Sequence, residues 1–225
     1  MQPLFHTRRE AGQRLARYLA PFAEHRHLVV LALPRGGVPV AAEIAARLGV
    51  PFDVFVVRKL GVPGHQELAM GAVASGGVRV LNPEVIEPLG ITLDIIDRVA
   101  RKELQEIDRR EREYRGGRPL PSLDGATVVL VDDGVATGST MLAAVEAVRM
   151  LRPWRVAVAA PVMSRDAIIT LTRAADACFY LAAPDPFYGV AAWYRDFAQV
   201  TDDEVRELLK SGGRAEKDGS HAVTA

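Results

Sequence analysis

The sequence predicts an α/β protein whose doubly wound, mostly parallel sheet is flanked by helices. Three segments, at 28–33, 127–131 and 155–160, are apolar throughout except for Thr127 and Arg155 at their first positions, and they have the length and continuity of strands that are buried on both faces. Each run is followed by a segment in which apolar residues recur at helical spacing, so strand and helix alternate along the chain. This alternation is typical of parallel sheets with right-handed crossovers.

The N-terminal half of the chain supplies one helix before the sheet and one crossover within it. Apolar residues recur at helical spacing over 7–20, which predicts an amphipathic helix. The first strand, at 28–33, passes through a Pro-Arg-Gly-Gly turn into an alanine-rich helix at 40–48. The next apolar run then predicts a strand over 50–57. Strand, helix and strand in this order form one parallel crossover.

Two different segments follow that crossover. Residues 58–80 are rich in glycine and are predicted to form a lid, as a mobile loop or as a hairpin that turns at 75–77. Residues 92–114 form the longest helical pattern, with one apolar face and one face on which both charge signs alternate. A face of mixed charge is typical of a solvated helix and does not indicate nucleic-acid binding.

The C-terminal half continues the alternation of strands and helices and then contains an irregular segment. Helices and strands are predicted in turn, ending with a short helix, at 141–151, 155–160, 164–174, 177–181 and 202–210. The irregular, aromatic-rich segment at 183–200 is expected to form a small C-terminal hood. We therefore expect one domain over 1–210 and a disordered polar tail over 211–225.

Charge and cysteine content narrow the class of protein. The 28 basic residues equal the 28 acidic residues, so the overall charge does not favour binding to nucleic acid or to an anionic membrane. No apolar stretch is long enough to cross a bilayer and no signal peptide precedes Leu28, so a cytoplasmic location is expected. The single cysteine, Cys178, lies in an apolar run and is interpreted as a packed thiol.

The central strand ends in a segment rich in hydrogen-bonding groups. Asp132 and Asp133 directly follow the apolar run, and the small-residue loop 134–140 leads into the next helix. Backbone N–H groups at a helix N-terminus, with three hydroxyl groups in the loop, form a cradle for a phosphate. The two carboxylates suit hydroxyl groups or a hard cation beside it. A sugar phosphate fits this pattern; an ordinary strand-to-helix turn with an aspartate cap is the alternative.

Two cationic segments follow the first two strands. The Gly36-Gly37 pair permits close approach of the backbone to a ligand, and Arg35 supplies a planar fork of donors for phosphate oxygens. Arg58 and Lys59 follow the second strand, at the start of the lid. Surface cations without a ligand are the alternative interpretation of that second pair.

Residues 128–140 resemble the loop that binds phosphoribosyl pyrophosphate (PRPP) in type I phosphoribosyltransferases. The shared pattern is four apolar residues, two acids, three variable positions and Thr-Gly-x-Thr. The version Val-Asp-Asp-Gly-Val-Ala-Thr-Gly-Ser-Thr is most similar to the adenine enzymes, and the lysine of a Walker loop is missing. Over almost the whole chain, the sequence resembles a group of bacterial phosphoribosyltransferases without an assigned acceptor, which implies their Rossmann-like fold.

This resemblance implies a Mg²⁺-dependent transfer of the 5-phosphoribosyl group of PRPP to a nitrogenous base with release of pyrophosphate, as in nucleotide salvage. It assigns the 5′-phosphate to Ala136, Thr137, Gly138, Ser139 and Thr140. It assigns pyrophosphate to Arg35, Gly36, Gly37, Arg58 and Lys59, and it places a cis peptide bond between Pro34 and Arg35. The implied catalytic residues are Asp132, Asp133, Arg35 and Lys59; the two acids contact Mg²⁺ directly or only through water or ribose hydroxyls.

The site for the acceptor base is the least defined. The Pro-Asp-x-Phe segment at 184–187 resembles the hood of hypoxanthine-guanine phosphoribosyltransferases, so Phe187, with Tyr188, is the expected base platform. Those enzymes have an acid at the position of Ala136 and a lysine shortly before the hood, and this sequence has neither. The acceptor is therefore left unassigned, and a homodimer is left open.

A regulatory protein that senses PRPP or a nucleotide without catalysis would use the same residues, and it is the alternative function. The sequence has no helix-turn-helix signal and no basic patch, which favours the enzyme. An NAD-binding oxidoreductase is excluded because no Gly-x-Gly-x-x-Gly follows the first strand. The enzyme hypothesis requires that Asp132 and Asp133 are not buried in ion pairs and that the hollow around 137–140 is open.

Overall fold

The computed structural model describes residues 2–21 and 27–212 and contains two sheets. Their strands are β1 (Leu28–Ala32), β2 (Phe52–Val54), β3 (Val57–Val62), β4 (His65–Ala74), β5 (Val78–Leu81), β6 (Thr127–Val131), β7 (Arg155–Val162) and β8 (Ala177–Ala182). The larger sheet has five parallel strands in the order β2-β1-β6-β7-β8. The smaller sheet has three antiparallel strands in the order β3-β4-β5.

Helices cover both faces of the parallel sheet. Within the described ranges they are α1 (Arg8–Leu19), α2 (Gly37–Leu48), α3 (Pro83–Ile86), α4 (Leu93–Arg115), α5 (Ser139–Met150), α6 (Arg165–Ala174) and α7 (Asp202–Gly212). The core on one face contains side chains of α1, α2 and α7, and the core on the other contains α5 and α6. Alternate residues of β1 enter the two cores, so the strand is buried on both sides. The predicted doubly wound α/β fold is confirmed.

Most of the segment predicted as a lid is regular sheet and not a mobile loop. The expected single strand over 50–57 is divided: β2 belongs to the parallel sheet, and β3 begins the antiparallel one. An apolar run predicts burial but does not tell which sheet receives it. The β4–β5 hairpin turns at Ser75–Gly77 as predicted, and β3 adds a third strand to it. The short helix α3 was not predicted.

The long helix α4 supports this second sheet. Its buried residues Ile96, Ala100 and Ile107 pack against apolar side chains of β3 and β4. These contacts remove apolar surface from water, which stabilises the fold by roughly 25 cal/mol per Å² of surface buried. The opposite face of α4 carries the interleaved charges, as expected for a helix with one solvated face.

The hood lies beyond β8 and packs on the N-terminal segment. It contains a short 3₁₀ turn, Val190–Trp193, and its buried Trp193 and Tyr194 form a cluster with Phe5. The first two residues of the tail expected over 211–225, Ser211 and Gly212, instead belong to α7. Residues 213–225 lie outside the described residues. No helix in the described part of the chain has the length and apolar character to cross a bilayer.

Candidate active site

Two loops meet where the winding of the parallel sheet reverses. β1 and β6 are neighbours, with Ala32 paired to Val131, and their carboxyl ends open into the loops 33–36 and 132–138. The chain leaves β1 through α2 toward β2 on one side, and it leaves β6 through α5 toward β7 on the other. In open α/β sheets, such a switch point forms the crevice that receives ligands. The two loops predicted to bind phosphate groups therefore lie side by side.

The two loops approach each other closely because the first one carries two glycines. A Cβ atom on Gly36 would lie 2.1 Å from Oδ2 of Asp133, and one on Gly37 would lie 2.4 Å from the carbonyl oxygen of Val131. Any larger residue would therefore force the loops apart. The peptide bond between Pro34 and Arg35 is cis, as predicted.

The loop after Asp133 opens toward the first turn of α5. Gly138 precedes that turn with φ of 79°, and the N–H groups of a first helical turn have no partners within the helix. The hydroxyl oxygens of Thr137 and Ser139 lie 3.0 Å apart. Three of the five residues predicted to bind the 5′-phosphate are exposed: Ala136, Thr137 and Thr140. This hollow offers both hydroxyl and backbone donors to an anion.

The two acids have different surroundings. Asp133 is buried and forms an ion pair with Arg8, whose Nε lies 2.7 Å from Oδ2 of the acid. Asp132 forms no ion pair with any residue that the structure describes, and its Oδ1 accepts a hydrogen bond from the backbone N–H of Asp133 at 2.8 Å. Asp132 thus meets the requirement stated from the sequence. Asp133 meets it only in part: Arg8, 125 positions away, occupies one of its oxygens, and the carboxylate has further acceptor sites for a ligand.

Burial affects the protonation of both acids. It raises the pKa of Asp132 well above the usual range, and the neighbouring charge of Asp133 raises it further. Burial also raises the pKa of Asp133, but the hydrogen bond and positive charge of Arg8 oppose that rise. When the two carboxyl groups share one proton, Asp132 is therefore the better place for it.

Arg35 lies on the opposite wall of the crevice from α5. Its Nη1 lies 3.6 Å from Oδ2 of Asp202, at the start of α7, which is too long for a strong hydrogen bond. Arg35, Arg8 and Asp133 line a cavity of about 330 Å³ together with Gly36. The guanidinium of Arg35 therefore remains available to an anionic ligand.

Lys59 and Arg58 point in different directions because they are consecutive residues of β3. Nζ of Lys59 donates a hydrogen bond to Oγ of Ser139 at 2.7 Å, so this lysine of the lid reaches the phosphate hollow. Nε of Arg58 instead pairs with Oε2 of Glu103 on α4, also at 2.7 Å. The structure brings Lys59 into the site and leaves Arg58 on the far side of the lid. The pyrophosphate role of Arg58 stays a prediction.

The hood covers the same loop from the other side. A Cβ atom on Gly134 would lie 2.4 Å from a methyl carbon of Val190, so the hood is in contact with the loop after Asp133. Phe187 is half-buried, with its ring centroid 6.5 Å from that of Trp193, whereas Tyr188 is exposed. The assignment of Phe187 and Tyr188 to the base stays a prediction.

Two residues of the site were not found from the sequence. Arg8 pairs with Asp133, and the hydroxyl of Tyr194 donates to the carbonyl oxygen of Asp133 at 2.6 Å. Both contacts join distant parts of the chain, which local patterns cannot reveal. The one available signal was the position of Arg8: a cation in the first turn of a helix is unfavourable there, so it needs an anionic partner.

The side chains of the described residues offer few groups that could bind a metal ion without a ligand. No group of three or more His, Cys, Asp or Glu side chains in the described residues is arranged to hold a metal ion. Asp132 and Asp133 are a pair, and Mg²⁺ is commonly bound by one or two carboxylates together with phosphate oxygens of a substrate. The residues present therefore fit a Mg²⁺ ion that arrives with a phosphorylated ligand.

Comparisons with known proteins agree with this geometry. Residues 7–177 match the family model described as phosphoribosyl transferase domain. Two Mycobacterium tuberculosis proteins, from strains CDC 1551 and H37Rv and each provisionally named a phosphoribosyl transferase, are 44% identical over 219 residues. The match covers 97% of this chain and 48% of each relative, so the chain spans about half their length.

A solved structure gives the same result for the fold. The crystal structure of TT1426 from Thermus thermophilus has 44% sequence identity and a TM-score of 0.84. The match covers 92% of this chain and 98% of that one. The chain therefore belongs to the phosphoribosyl transferase domain family.

Proposed function

We propose that the protein transfers the 5-phosphoribosyl group of PRPP to a nitrogenous base and releases pyrophosphate. The observation that carries this proposal is the meeting of two loops at the switch point of the sheet. One loop ends in an anion hollow at the start of α5, the other presents Arg35, and Asp132 and Asp133 lie between them. This order of groups matches the order of chemical groups in PRPP: a phosphate, a ribose and a pyrophosphate.

The 5′-phosphate would be bound by residues 136–140. Hydroxyl groups of Thr137 and Ser139 and free N–H groups of the first turn of α5 are suitable donors, and the helix dipole adds attraction for a negative charge. This contact is remote from the reacting carbon. Its binding energy serves to align the substrate, which lowers the barrier to a displacement reaction.

The ribose would lie over the two acids. Their oxygens can accept hydrogen bonds from the 2′ and 3′ hydroxyls. As the bond from the anomeric carbon to pyrophosphate breaks and the bond to the base nitrogen forms, positive charge develops on the sugar ring. The Asp133 carboxylate, paired with the guanidinium of Arg8, would stabilise that charge.

The leaving pyrophosphate would be received by Arg35, Gly36, Gly37 and Lys59. Arg35 faces the cavity beside Asp133, and Lys59 approaches the phosphate hollow from the lid. These cations would stabilise the negative charge that accumulates on the leaving group. Mg²⁺, held by Asp132 and Asp133 directly or through water or ribose hydroxyls, would add charge neutralisation when bound.

The base would enter from the side of the hood, where Phe187 and Tyr188 offer aromatic surface. Stacking on an aromatic side chain contributes about 1–3 kcal/mol per base and tolerates different bases. The acceptor is therefore proposed only as a nitrogenous base. The lid would close over the site and exclude water, since water would otherwise hydrolyse the activated sugar.

The test is pyrophosphate release from PRPP and Mg²⁺ with a panel of nucleobases. Asp132→Asn with Asp133→Asn should abolish release while circular dichroism and the melting temperature show a folded protein. Asp124→Asn is a matched control, because this exposed acid lies just before β6 at the opposite end of the same strand. Retained turnover in the double variant would contradict the assignment of the acids.

The same experiment separates the enzyme from the alternative, a regulatory protein that senses PRPP or a nucleotide. Titration calorimetry with PRPP and Mg²⁺ should show binding for the enzyme and for a PRPP sensor. Binding without turnover of any base in the panel would favour the sensor. Absence of PRPP binding would contradict both of these and leave only a nucleotide sensor.

A further inference from the structure

Arg8 is held in one conformation by three different contacts. Besides its ion pair with Asp133, its Nη1 donates to the carbonyl oxygen of Ala198 at 2.8 Å. Its guanidinium carbon also lies 3.7 Å from the centre of the Phe197 ring, at the distance of a cation–π contact. The side chain is only 11% exposed. An arginine with these partners cannot exchange freely among rotamers.

Asp133 is also held by several contacts, at its Oδ2 and at its carbonyl oxygen. Its Oδ2 receives Nε of Arg8 and faces Gly36 so closely that a Cβ there would lie 2.1 Å away. Its carbonyl oxygen receives the hydroxyl of Tyr194 at 2.6 Å. The carboxylate is thus fixed between the N-terminal helix and the loop that carries Arg35. Its orientation is set by Arg8 and not by solvent.

We propose that Arg8 is a positioning residue for PRPP, which holds the Asp133 carboxylate in the orientation that meets the ribose hydroxyls. The inference rests on the proposed function, and it adds a residue that the family motif does not include. A carboxylate has two oxygens and about four acceptor sites, so one bond to Arg8 leaves acceptor capacity for a ligand. Arg8 would act through Asp133 and would not contact the sugar.

An opposite role is physically conceivable, in which Arg8 withholds Asp133 from the ligand. The geometry favours positioning, because the pair lines the cavity that also contains Arg35, so the site and the pair are continuous.

The test measures PRPP binding in the presence of Mg²⁺ by titration calorimetry, on the full chain. Arg8→Ala is compared with Arg14→Ala, a close match on the same helix. Arg14 also covers an aromatic ring, Phe5 at 4.9 Å, and also donates to a backbone carbonyl, that of Leu4 at 3.0 Å. It also pairs with a carboxylate, Glu10, but it does not touch either phosphate loop.

We expect Arg8→Ala to weaken PRPP binding about tenfold, within the usual coupling between residues in contact, and Arg14→Ala to leave it unchanged. Arg8→Lys should recover part of the loss, because the ammonium restores the charge without the planar fork. We expect Asp133→Asn to weaken binding by itself. In that background, Arg8→Ala should cause no further loss, since the carboxylate that it positions is gone.

Three results would overturn the inference: unchanged binding in Arg8→Ala, tighter binding in Arg8→Ala, or equal losses from Arg8→Ala with and without Asp133→Asn. If Arg8→Ala does not fold, Arg8→Gln replaces it, and the same comparisons decide. Failure of the proposed function is distinguishable, because it would appear in the unaltered protein, as absent PRPP binding or as binding without turnover, whereas failure of this inference appears only in the Arg8 variants.

Discussion

Among residues 2–21 and 27–212, two Asp–Arg ion pairs are largely buried, and only one of them borders an open cavity. Arg115, at the end of α4, is 2% exposed; its Nε lies 3.0 Å from Oδ1 of Asp53 on β2. It also donates to the carbonyl oxygen of Val54 and lies 2.7 Å from Oε1 of Glu111, without hydrogen-bond alignment to that oxygen. Arg8 and Asp133, in contrast, border a cavity that contains a second arginine, Arg35.

The comparison shows that a buried ion pair does not by itself identify an active site. In both pairs, burial raises the pKa of the aspartate and the arginine opposes that rise. The pairs differ in what lies next to them. The structural pair is enclosed by α4 and β2, whereas the pair at the candidate site contacts a glycine loop and lines a cavity with Arg35. Adjacent space, and not burial, distinguishes the pair at the candidate site.

The largest expected effect is on the enclosed pair. Arg115→Met should lower the free energy of unfolding by about 3–5 kcal/mol, because the change leaves Asp53 buried without its partner. Urea unfolding at pH 7 measures the loss, and Arg112→Met, an exposed arginine on the same helix, is the control. The loss should shrink as the pH falls through the raised pKa of Asp53, since the acid then becomes neutral. Equal losses in the two variants would contradict this account.

The next effect concerns the contact that joins the two loops of the site. Gly36→Ala should weaken PRPP binding about a hundredfold, because the added Cβ collides with the Asp133 carboxylate and displaces it. Gly49→Ala is a control with a different cost: its φ is 67°, but nothing lies within 4 Å of the added atom. It should lose about 1 kcal/mol of stability and keep its PRPP affinity in calorimetry. Normal affinity in Gly36→Ala would show that the loops can separate without consequence.

A smaller effect is expected from the lid. Lys59→Ala should weaken PRPP binding about tenfold, because it removes one charge-assisted hydrogen bond near the phosphate hollow. Lys102→Ala removes an exposed lysine of α4 and should leave the affinity unchanged. The loss in Lys59→Ala should decrease at high salt, whereas a loss that is independent of salt would indicate a structural role for this lysine.

The smallest effect is expected from Tyr194, which donates a hydrogen bond to the backbone of Asp133. Tyr194→Phe should lower the free energy of unfolding by about 1 kcal/mol, because it leaves the carbonyl oxygen of Asp133 without its hydroxyl donor. Burial raises the pKa of Tyr194 and of Tyr114, whose hydroxyl donates to Asp202. Both tyrosines therefore stay protonated in the fold at pH values where an unfolded chain loses those protons.

Stability should consequently fall as the pH rises above about 10, the ordinary tyrosine pKa. Urea unfolding at pH 8 and pH 11, with absorbance at 295 nm to follow phenolate formation, tests this expectation. Tyr194→Phe should show a smaller fall than the unaltered protein. An identical pH dependence in the two proteins would mean that Tyr194 ionises normally.

Much of the fold was predictable because its strands are marked by long apolar runs. β1, β6 and β7 are buried on both faces and are continuous hydrophobic segments in the sequence, and α4 shows its periodicity over many turns. The division of 50–57 between two sheets was not predictable, since Phe55 and Val56 are buried whichever sheet continues. Local hydrophobicity reports burial, whereas strand pairing depends on distant residues.

The candidate site was predictable where its chemistry is local. The loop after β6 and the Arg-Gly-Gly turn each carry the groups assigned to phosphate binding in consecutive residues, so a motif can predict them. The ion pair of Arg8 with Asp133 joins positions 125 residues apart, and only folding brings them together. The opposite directions of Arg58 and Lys59 follow from strand geometry, but only after β3 is known to be a strand.

The packing of Trp193 in the hood gives the protein a built-in optical reporter. The chain has two tryptophans, and Trp193 is buried within 6.5 Å of the Phe187 ring, whereas Trp154 is 58% exposed just before β7. A ligand that shifts Phe187 changes the environment of one indole and leaves the other untouched. In a Trp154→Phe background, emission would follow occupancy of the hood without any added dye, so the proposed base site could be tested in solution with candidate acceptors.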